Sequence, residues 1–176
     1  MKEPVNGVQS MNGSAVPMGL INTSKIRRAW ALYISKWLKA YKKKGLPVWA
    51  VTPQNEPEFP APWEACAWDA SGERDWITED LGPVLRQNHP SMKLLAFDHN
   101  KDHLKVWADS ILGSRHASQY VDGLAFHWYT GTSDRLLDGT YGYDTVNATH
   151  HAYPKKILLV SLFFFKSKSE GYISLY

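Results

Sequence analysis

Three apolar runs in this chain end in groups that can move protons or hold a polar ligand. The stretch "PVWAVTPQNEPEF", residues 47–59, delivers Asn55 and Glu56. "MKLLAFDH", residues 92–99, delivers Asp98 and His99, and "VDGLAFHWY", residues 121–129, delivers His127, Trp128 and Tyr129. Carboxylates, amides and imidazoles resist burial unless a partner compensates them. At the C-terminal mouth of a parallel strand they are where barrel enzymes place chemistry, because the strands hold position while the loops are free to vary. A site built from several strand ends is therefore expected, led by Asn55 and Glu56.

The elements that must position these groups follow from periodicity. From about Ser24, the residues Ile26, Trp30, Tyr33, Trp37 and Tyr41 recur three or four apart, which predicts an amphipathic helix stopped by Gly45 and Pro47. The stretch "PVWAVTPQNE", residues 47–56, then reads as a short buried strand, since a continuous apolar run between breakers suits a sheet covered on both faces. Ser71 is expected to cap a second helix with Glu73 and Asp75 in its first turn, Ile77, Leu81 and Leu85 on one face, and a kink at Pro83. Leu104, Trp107 and Ile111 mark a third helix closed by Gly113, and a weaker one between about Tyr143 and Tyr153 leads to a fourth apolar run, "KKILLVS". Residues 1–22, rich in Gly, Asn, Ser and Pro, read as an extended loop.

Strands alternating with helices imply βαβ units and a parallel sheet. No glycine-rich phosphate fingerprint follows any strand, which counts against a doubly wound nucleotide-binding fold. A (β/α)8 barrel fits better, but a full barrel needs eight strands and about 250 residues. The 176 residues here hold about half of one. A composition of 44% hydrophobic and 21% charged residues is that of a globular domain. The net charge of +3 is mild, and Lys42, Lys43 and Lys44 read as a solvated helix end, so no nucleic-acid partner is expected. Cys66 is the single cysteine, so the chain forms no internal disulfide. The sequons at Asn12, Asn22 and Asn147 would accept glycans in a secretory pathway, yet the first residues lack the pattern of a signal peptide. The apolar stretch from Ile157 to Phe165 is too short to span a bilayer.

With the strand ends in view, the chain resembles the glucosylceramidase family, glycoside hydrolase family 30. The resemblance rests on "VWAVTPQNEP" (48–57), "DLGPVL" (80–85), "LLAFDHN" (94–100), "VDGLAFHWY" (121–129) and "YPKKILL" (153–159), with "MKEPVNGVQSMNGS" similar to the loop after the family's third strand. It implies strands 4 to 7 of a TIM barrel, with residues 1–161 forming a partial barrel domain and 162–176 a divergent tail. It also implies a retaining β-glycosidase in which Glu56 is the general acid/base and Asn55 bonds the 2-hydroxyl of the sugar. By the same resemblance His127, Trp128 and Tyr129 line the substrate pocket near the nucleophile, and Asp98 and His99 support the pocket or the acid/base. The first substrate implied is glucosylceramide, with other β-glucosides behind it, met at a membrane surface through the substrate itself. A lysosomal or secreted location follows from the same likeness. No metal or organic cofactor is called for, since protons and a covalent sugar ester suffice for this chemistry.

Retention requires a second carboxylate about 5 to 5.5 Å from the first. In the family it follows the strand matching "KKILLVS" directly; here "LFFFKSKS" intervenes before Glu170-Gly171, with Tyr172 where the family has Cys. Two accounts compete. Either the added residues fold back so that Glu170 serves as the nucleophile, or the sequence after Ser161 is unrelated to the family. The second leaves a carbohydrate-binding remnant as the alternative function. A half-barrel also has open sheet edges, so the isolated chain is expected to be poorly soluble or oligomeric, with little hydrolysis. A third class, an interaction protein using its aromatic surface, would require a large exposed apolar patch.

Plainer readings stand beside these. His99 and His103 have a metal-compatible spacing, but a helix start with acidic capping explains Asp98, His99, Asp102 and His103 without a metal. Glu79 and Asp80 read as exterior charges, His150-His151 as helix surface, and Phe163 to Phe165 as tail rather than membrane contact.

Overall fold

A computed structural model describes residues 20–59, 65–128, 130, 142–166 and 172–175. Tyr129, Glu170 and the Asn12 sequon lie outside the described residues. Helix α1 (Ser24–Lys43) starts where the Thr23 hydroxyl accepts the Ile26 N–H at 3.3 Å. It ends beside Gly45, whose φ of +77° is the left-handed conformation that glycine adopts without strain. The buried stripe of α1 differs from the aromatic one expected: Ala31, Ile34, Ser35 and Leu38 face inward, while Tyr33, Trp37 and Tyr41 are exposed. Both stripes have helical spacing, so period alone does not choose between them. The small Ala31 and Ser35 allow the closer approach to the neighbouring helix.

That neighbour is the second helical segment, which has three parts: α2 (Ala70–Trp76), a π turn (Ile77–Leu81) and α3 (Gly82–Asn88). Pro83 has no N–H to complete an α-helical ladder, and the chain takes up the expected kink as the π turn just before it. The cap is Asp69 rather than Ser71. The Asp69 carboxylate accepts the Gly72 N–H at 2.6 Å and the Ser71 hydroxyl at 2.9 Å, and the Gly72 bond holds its pKa below the usual range. Asp80 is also not exterior, because Arg27 of α1 crosses the π turn and its Nε meets the buried carboxylate at 3.0 Å. Glu79 remains exposed and shares the same guanidinium.

Four strands, β1 (Ala50–Val51), β2 (Lys93–Asn100), β3 (Gly123–His127) and β4 (Ile157–Lys166), pair in parallel in chain order. Helices α4 (Leu104–Leu112) and α5 (Arg115–Ser118) connect β2 to β3, and α6 (Tyr143–Ala152) precedes β4. This is a partial (β/α)8 barrel, with β1 reduced to two residues of the longer run expected. The fifth strand, β5 (Tyr172–Leu175), pairs antiparallel with Phe163–Lys166 at the end of β4, and so departs from an all-parallel barrel. The side chains of Phe163–Phe165 lie outside the described set. Among the described residues no helix is long and apolar enough to cross a membrane.

Every interior position of β2 is buried, the signature of a strand covered on both faces, and Leu94, Ala96, Leu124 and Phe126 meet Trp76, Leu104, Trp107 and Ile111 in one core. At Gly123 a Cβ would lie 2.1 Å from the Ile157 carbonyl oxygen, so β3 and β4 pair there only because no side chain intervenes.

Candidate active site

The C-terminal ends of the parallel strands are distorted in a coordinated way. Phe97 pairs with Ala125 but His99 pairs with Phe126, leaving Asp98 as the extra residue of a bulge in β2. On the other side of β3, Phe126 pairs with Val160 and His127 with Leu162, so Ser161 is the extra residue of β4. Bulges re-aim side chains that strict alternation would send to opposite faces. Here the two extra residues meet: the Ser161 hydroxyl donates to Asp98 Oδ1 at 2.5 Å and also lies 3.2 Å from the Phe126 carbonyl. From β1 the Thr52 hydroxyl donates to the other oxygen, Asp98 Oδ2, at 2.7 Å.

Three non-glycine residues in this region have left-handed backbones: Glu56 (φ 49°), Phe97 (φ 78°) and Asp98 (φ 61°). Each such residue costs on the order of 1–3 kcal/mol unless its surroundings hold it. The Glu56 N–H donates to the Asp98 carbonyl at 2.9 Å, which ties the loop after β1 to the bulge of β2. The Phe97 N–H donates to Glu73 Oε1 of α2 at 3.1 Å. Glu73 is fully buried, and burial pushes its carboxyl up to about 8, with the nearby Asp98 charge adding to the rise and the Phe97 N–H opposing it. Sequence reasoning placed Glu73 in the first turn of a helix but gave it no role. The signal was present, because Glu73 precedes Ile77 and Leu81 at four-residue spacing and so shares their apolar face.

His127 joins the two acids. Its Nδ1 lies 3.2 Å from Glu56 Oε1 and its Nε2 lies 3.6 Å from Asp98 Oδ1. Burial works against an imidazolium here, but the hydrogen bonds and charges of Asp98 and Glu56 outweigh it and raise the pKa of His127 above the ordinary value. Burial likewise works against the Asp98 carboxylate, yet bonds from His127, Ser161 and Thr52 hold its pKa below the usual range. Asp98 thus remains an anion that orients the ring, and the ring can share a proton with Glu56. A carboxyl group backed by an oriented imidazole can give and take back a proton, which is the work of a general acid/base.

Around this triad, His99 is buried at 8% exposure, and burial lowers its pKa. Glu58 Oε2 stands 3.7 Å from His99 Nε2 and 2.6 Å from His103 Nδ1, and that bond raises the pKa of His103. The two histidines therefore share a carboxylate across a strand end and a 3-10 turn (Lys101–His103), not the capped helix start expected from their spacing. One donor atom from each of Glu56, His99 and His127 falls within 4.8 Å of the other two. Asn55 is exposed beside Glu56, and the Trp128 carbonyl accepts from the buried Lys101 ammonium.

Comparison with known proteins places this geometry in a family. The profile described as "Glycosyl hydrolase family 30 TIM-barrel domain" matches residues 4–174. Mouse "Lysosomal acid glucosylceramidase" is 34% identical over 161 residues, covering 89% of this chain and 29% of the mouse protein. An "Endo-1,6-beta-D-glucanase" of Neurospora crassa is 32% identical over 128 residues, covering 71% of this chain and 24% of the fungal protein. Among solved structures, SrfJ from Salmonella typhimurium superposes with a TM-score of 0.74 at 29% identity, over 91% of this chain and 34% of SrfJ. The endo-β1,6-glucanase BT3312 superposes with a TM-score of 0.68 at 32% identity, over 78% of this chain and 29% of that enzyme. The chain spans about a third or less of the proteins it matches. On a match covering nearly its whole length, the chain belongs to glycosyl hydrolase family 30 and carries part of that family's TIM barrel.

Proposed function

We propose that this chain supplies the acid/base half of a retaining β-glycosidase site, with Glu56 protonating the leaving oxygen and deprotonating the incoming water. The observation that carries this reading is the Glu56–His127–Asp98 chain at the strand ends, with contacts of 3.2 and 3.6 Å. Asn55, next to Glu56, is the residue to hold the sugar 2-hydroxyl, and Trp128 and Tyr129, which follow His127 in the sequence, are the residues to line the sugar pocket. The substrate class is a β-D-glucoside. Glucosylceramide comes first because several relatives are named glucosylceramidases, with β-1,6-glucan as the competing substrate because of the fungal relatives. A lysosomal or secreted compartment and contact with a membrane surface through the lipid belong to the same proposal.

The second carboxylate, about 5 to 5.5 Å from the first in retaining enzymes, is assigned to Glu170. Asp98 is a poor alternative, because both of its oxygens already accept hydroxyl hydrogen bonds. One observation favours the second reading, a carbohydrate-binding remnant: after the bulged Ser161 the strand continues with Leu162, where the family resemblance leads one to expect an acid. Release of the phenol from an aryl β-glucoside tests the proposal on the purified chain. Turnover that falls about 10²- to 10⁴-fold in Glu56→Gln supports acid/base catalysis. Turnover untouched by that substitution refutes it. No turnover, with glucoside still quenching tryptophan fluorescence, selects the remnant.

A further inference from the structure

The strand ends bring together a set of side chains that exceeds what proton transfer requires. Glu56, His99 and His127 each present one ligating atom within 4.8 Å of the other two. Zinc binds carboxylate oxygen and imidazole nitrogen at about 2.0–2.2 Å, so two tetrahedral ligands of one ion stand about 3.3–3.5 Å apart. Glu56 Oε1 and His127 Nδ1, at 3.2 Å, already have that separation. Closing the remainder from 4.8 Å or less asks for a movement of about 1.5 Å at most.

The surroundings of the two rings strengthen the case. A histidine that ligates a metal through one nitrogen usually donates through the other to a carboxylate, which fixes the ring and raises its basicity. His127 has Asp98 Oδ1 at 3.6 Å from Nε2, and His99 has Glu58 Oε2 at 3.7 Å from Nε2. His127 thus faces a carboxylate at each nitrogen, Glu56 Oε1 at Nδ1 and Asp98 Oδ1 at Nε2, while His99 faces Glu58 at Nε2. His99 Nδ1 is buried without a hydrogen-bond partner among the described residues, in a side chain that is 11% exposed. A buried polar nitrogen without a partner requires an explanation.

We propose that Glu56, His99 and His127, through one ligating atom each, form a binding site for one borderline divalent transition-metal ion, of which Zn²⁺ is the type, with Asp98 and Glu58 as outer carboxylates. Two imidazoles and one carboxylate leave a fourth position open to water or a sugar hydroxyl. The ion binds the anionic carboxylate and neutral imidazoles, so binding releases to solvent any proton that Glu56 and His127 share. A bound ion thereby withdraws Glu56 from acid–base work, which makes the site an inhibitory one. The proposal rests on ligand geometry and stands whether or not the chain hydrolyses glucosides.

Cobalt(II) in place of zinc reports the site directly, since four-coordinate Co²⁺ absorbs in the visible and octahedral aqueous Co²⁺ does so only weakly. The expected result is one equivalent of Co²⁺ bound with four-coordinate absorption, bleached by one equivalent of Zn²⁺. His99→Phe should abolish the band, and Glu58→Gln should weaken Co²⁺ binding about 10- to 100-fold. The double substitution His150→Ala with His151→Ala, on the surface of α6, should leave it unchanged. If near-ultraviolet circular dichroism shows that His99→Phe has lost its fold, Glu58→Gln decides, because Glu58 is exposed. The proposal is overturned by the absence of a four-coordinate band, by binding that survives both substitutions, or by binding that disappears with His150 and His151. A chain that binds Co²⁺ in the expected way but never turns over a glucoside keeps the metal site and loses the glycosidase reading.

Discussion

Replacing Glu73 by Gln should stabilise the protein at neutral pH, although it alters a fully buried residue that bonds the strained bulge. The Glu73 carboxyl has an ordinary pKa of 4.5 and is pushed up to about 8 in the fold, chiefly by burial. The folded state therefore holds a proton that the unfolded chain releases between those values. The stabilisation is complete below 4.5, declines with rising pH across the window, and is gone above about 8, where the folded chain buries a carboxylate. At about 1.4 kcal/mol per pH unit, the whole window amounts to about 5 kcal/mol, and about 3 kcal/mol of it falls between pH 5.5 and 7.5. Glutamine retains an oxygen to accept the Phe97 N–H and has no proton to lose. Urea unfolding followed through the buried Trp76 and Trp107 at several pH values gives the comparison. The wild-type chain should lose about 3 kcal/mol more than Glu73→Gln between pH 5.5 and 7.5. Parallel pH profiles for the two proteins would mean that Glu73 is ionised in the fold, and the reasoning would fail.

Other perturbations test the rest of the framework. Asp122 accepts from Arg86 at 2.9 Å, Lys93 at 3.1 Å and the Leu94 N–H at 3.0 Å; burial opposes its charge, but these partners hold its pKa below the ordinary 3.8. Its contribution is present above 3.8 and lost as the pH falls through the folded value, so Asp122→Asn should cost about 1–3 kcal/mol at pH 7 and flatten the acid limb of the unfolding profile. Gly123→Ala would put a methyl group 2.1 Å from the Ile157 carbonyl oxygen and should cost at least about 1–3 kcal/mol, read as a lower urea midpoint with the m-value unchanged. Ser161→Ala removes the 2.5 Å donor to the buried Asp98 and should cost about 1.5–3 kcal/mol, whereas Ser71→Ala, whose hydroxyl only supports the cap at Asp69, should cost less than about 1 kcal/mol by the same assay.

The longer helices, their alternation with parallel strands and the polar ends of those strands were legible because local chemistry specifies them. Continuous apolar runs bounded by breakers marked β2, β3 and β4, and the spacing of Leu104, Trp107 and Ile111 marked α4. The inward face of α1, the cap at Asp69 and the buried pairing of Asp80 with Arg27 were not legible, since each depends on which neighbour arrives from elsewhere in the chain. Periodicity can mark two equally regular stripes on one helix, and only packing selects between them. The identities of Glu56, Asp98 and His127 as strand-end groups lay open in the chain. That they build one site was expected too, but the way they meet was not legible, because it required one extra residue in β2 and another in β4, with left-handed backbones at Phe97 and Asp98 held by a carboxyl group from α2. A one-residue bulge reverses the side on which a side chain emerges, and its position is set by long-range hydrogen bonds that leave no periodic trace in the order of the amino acids.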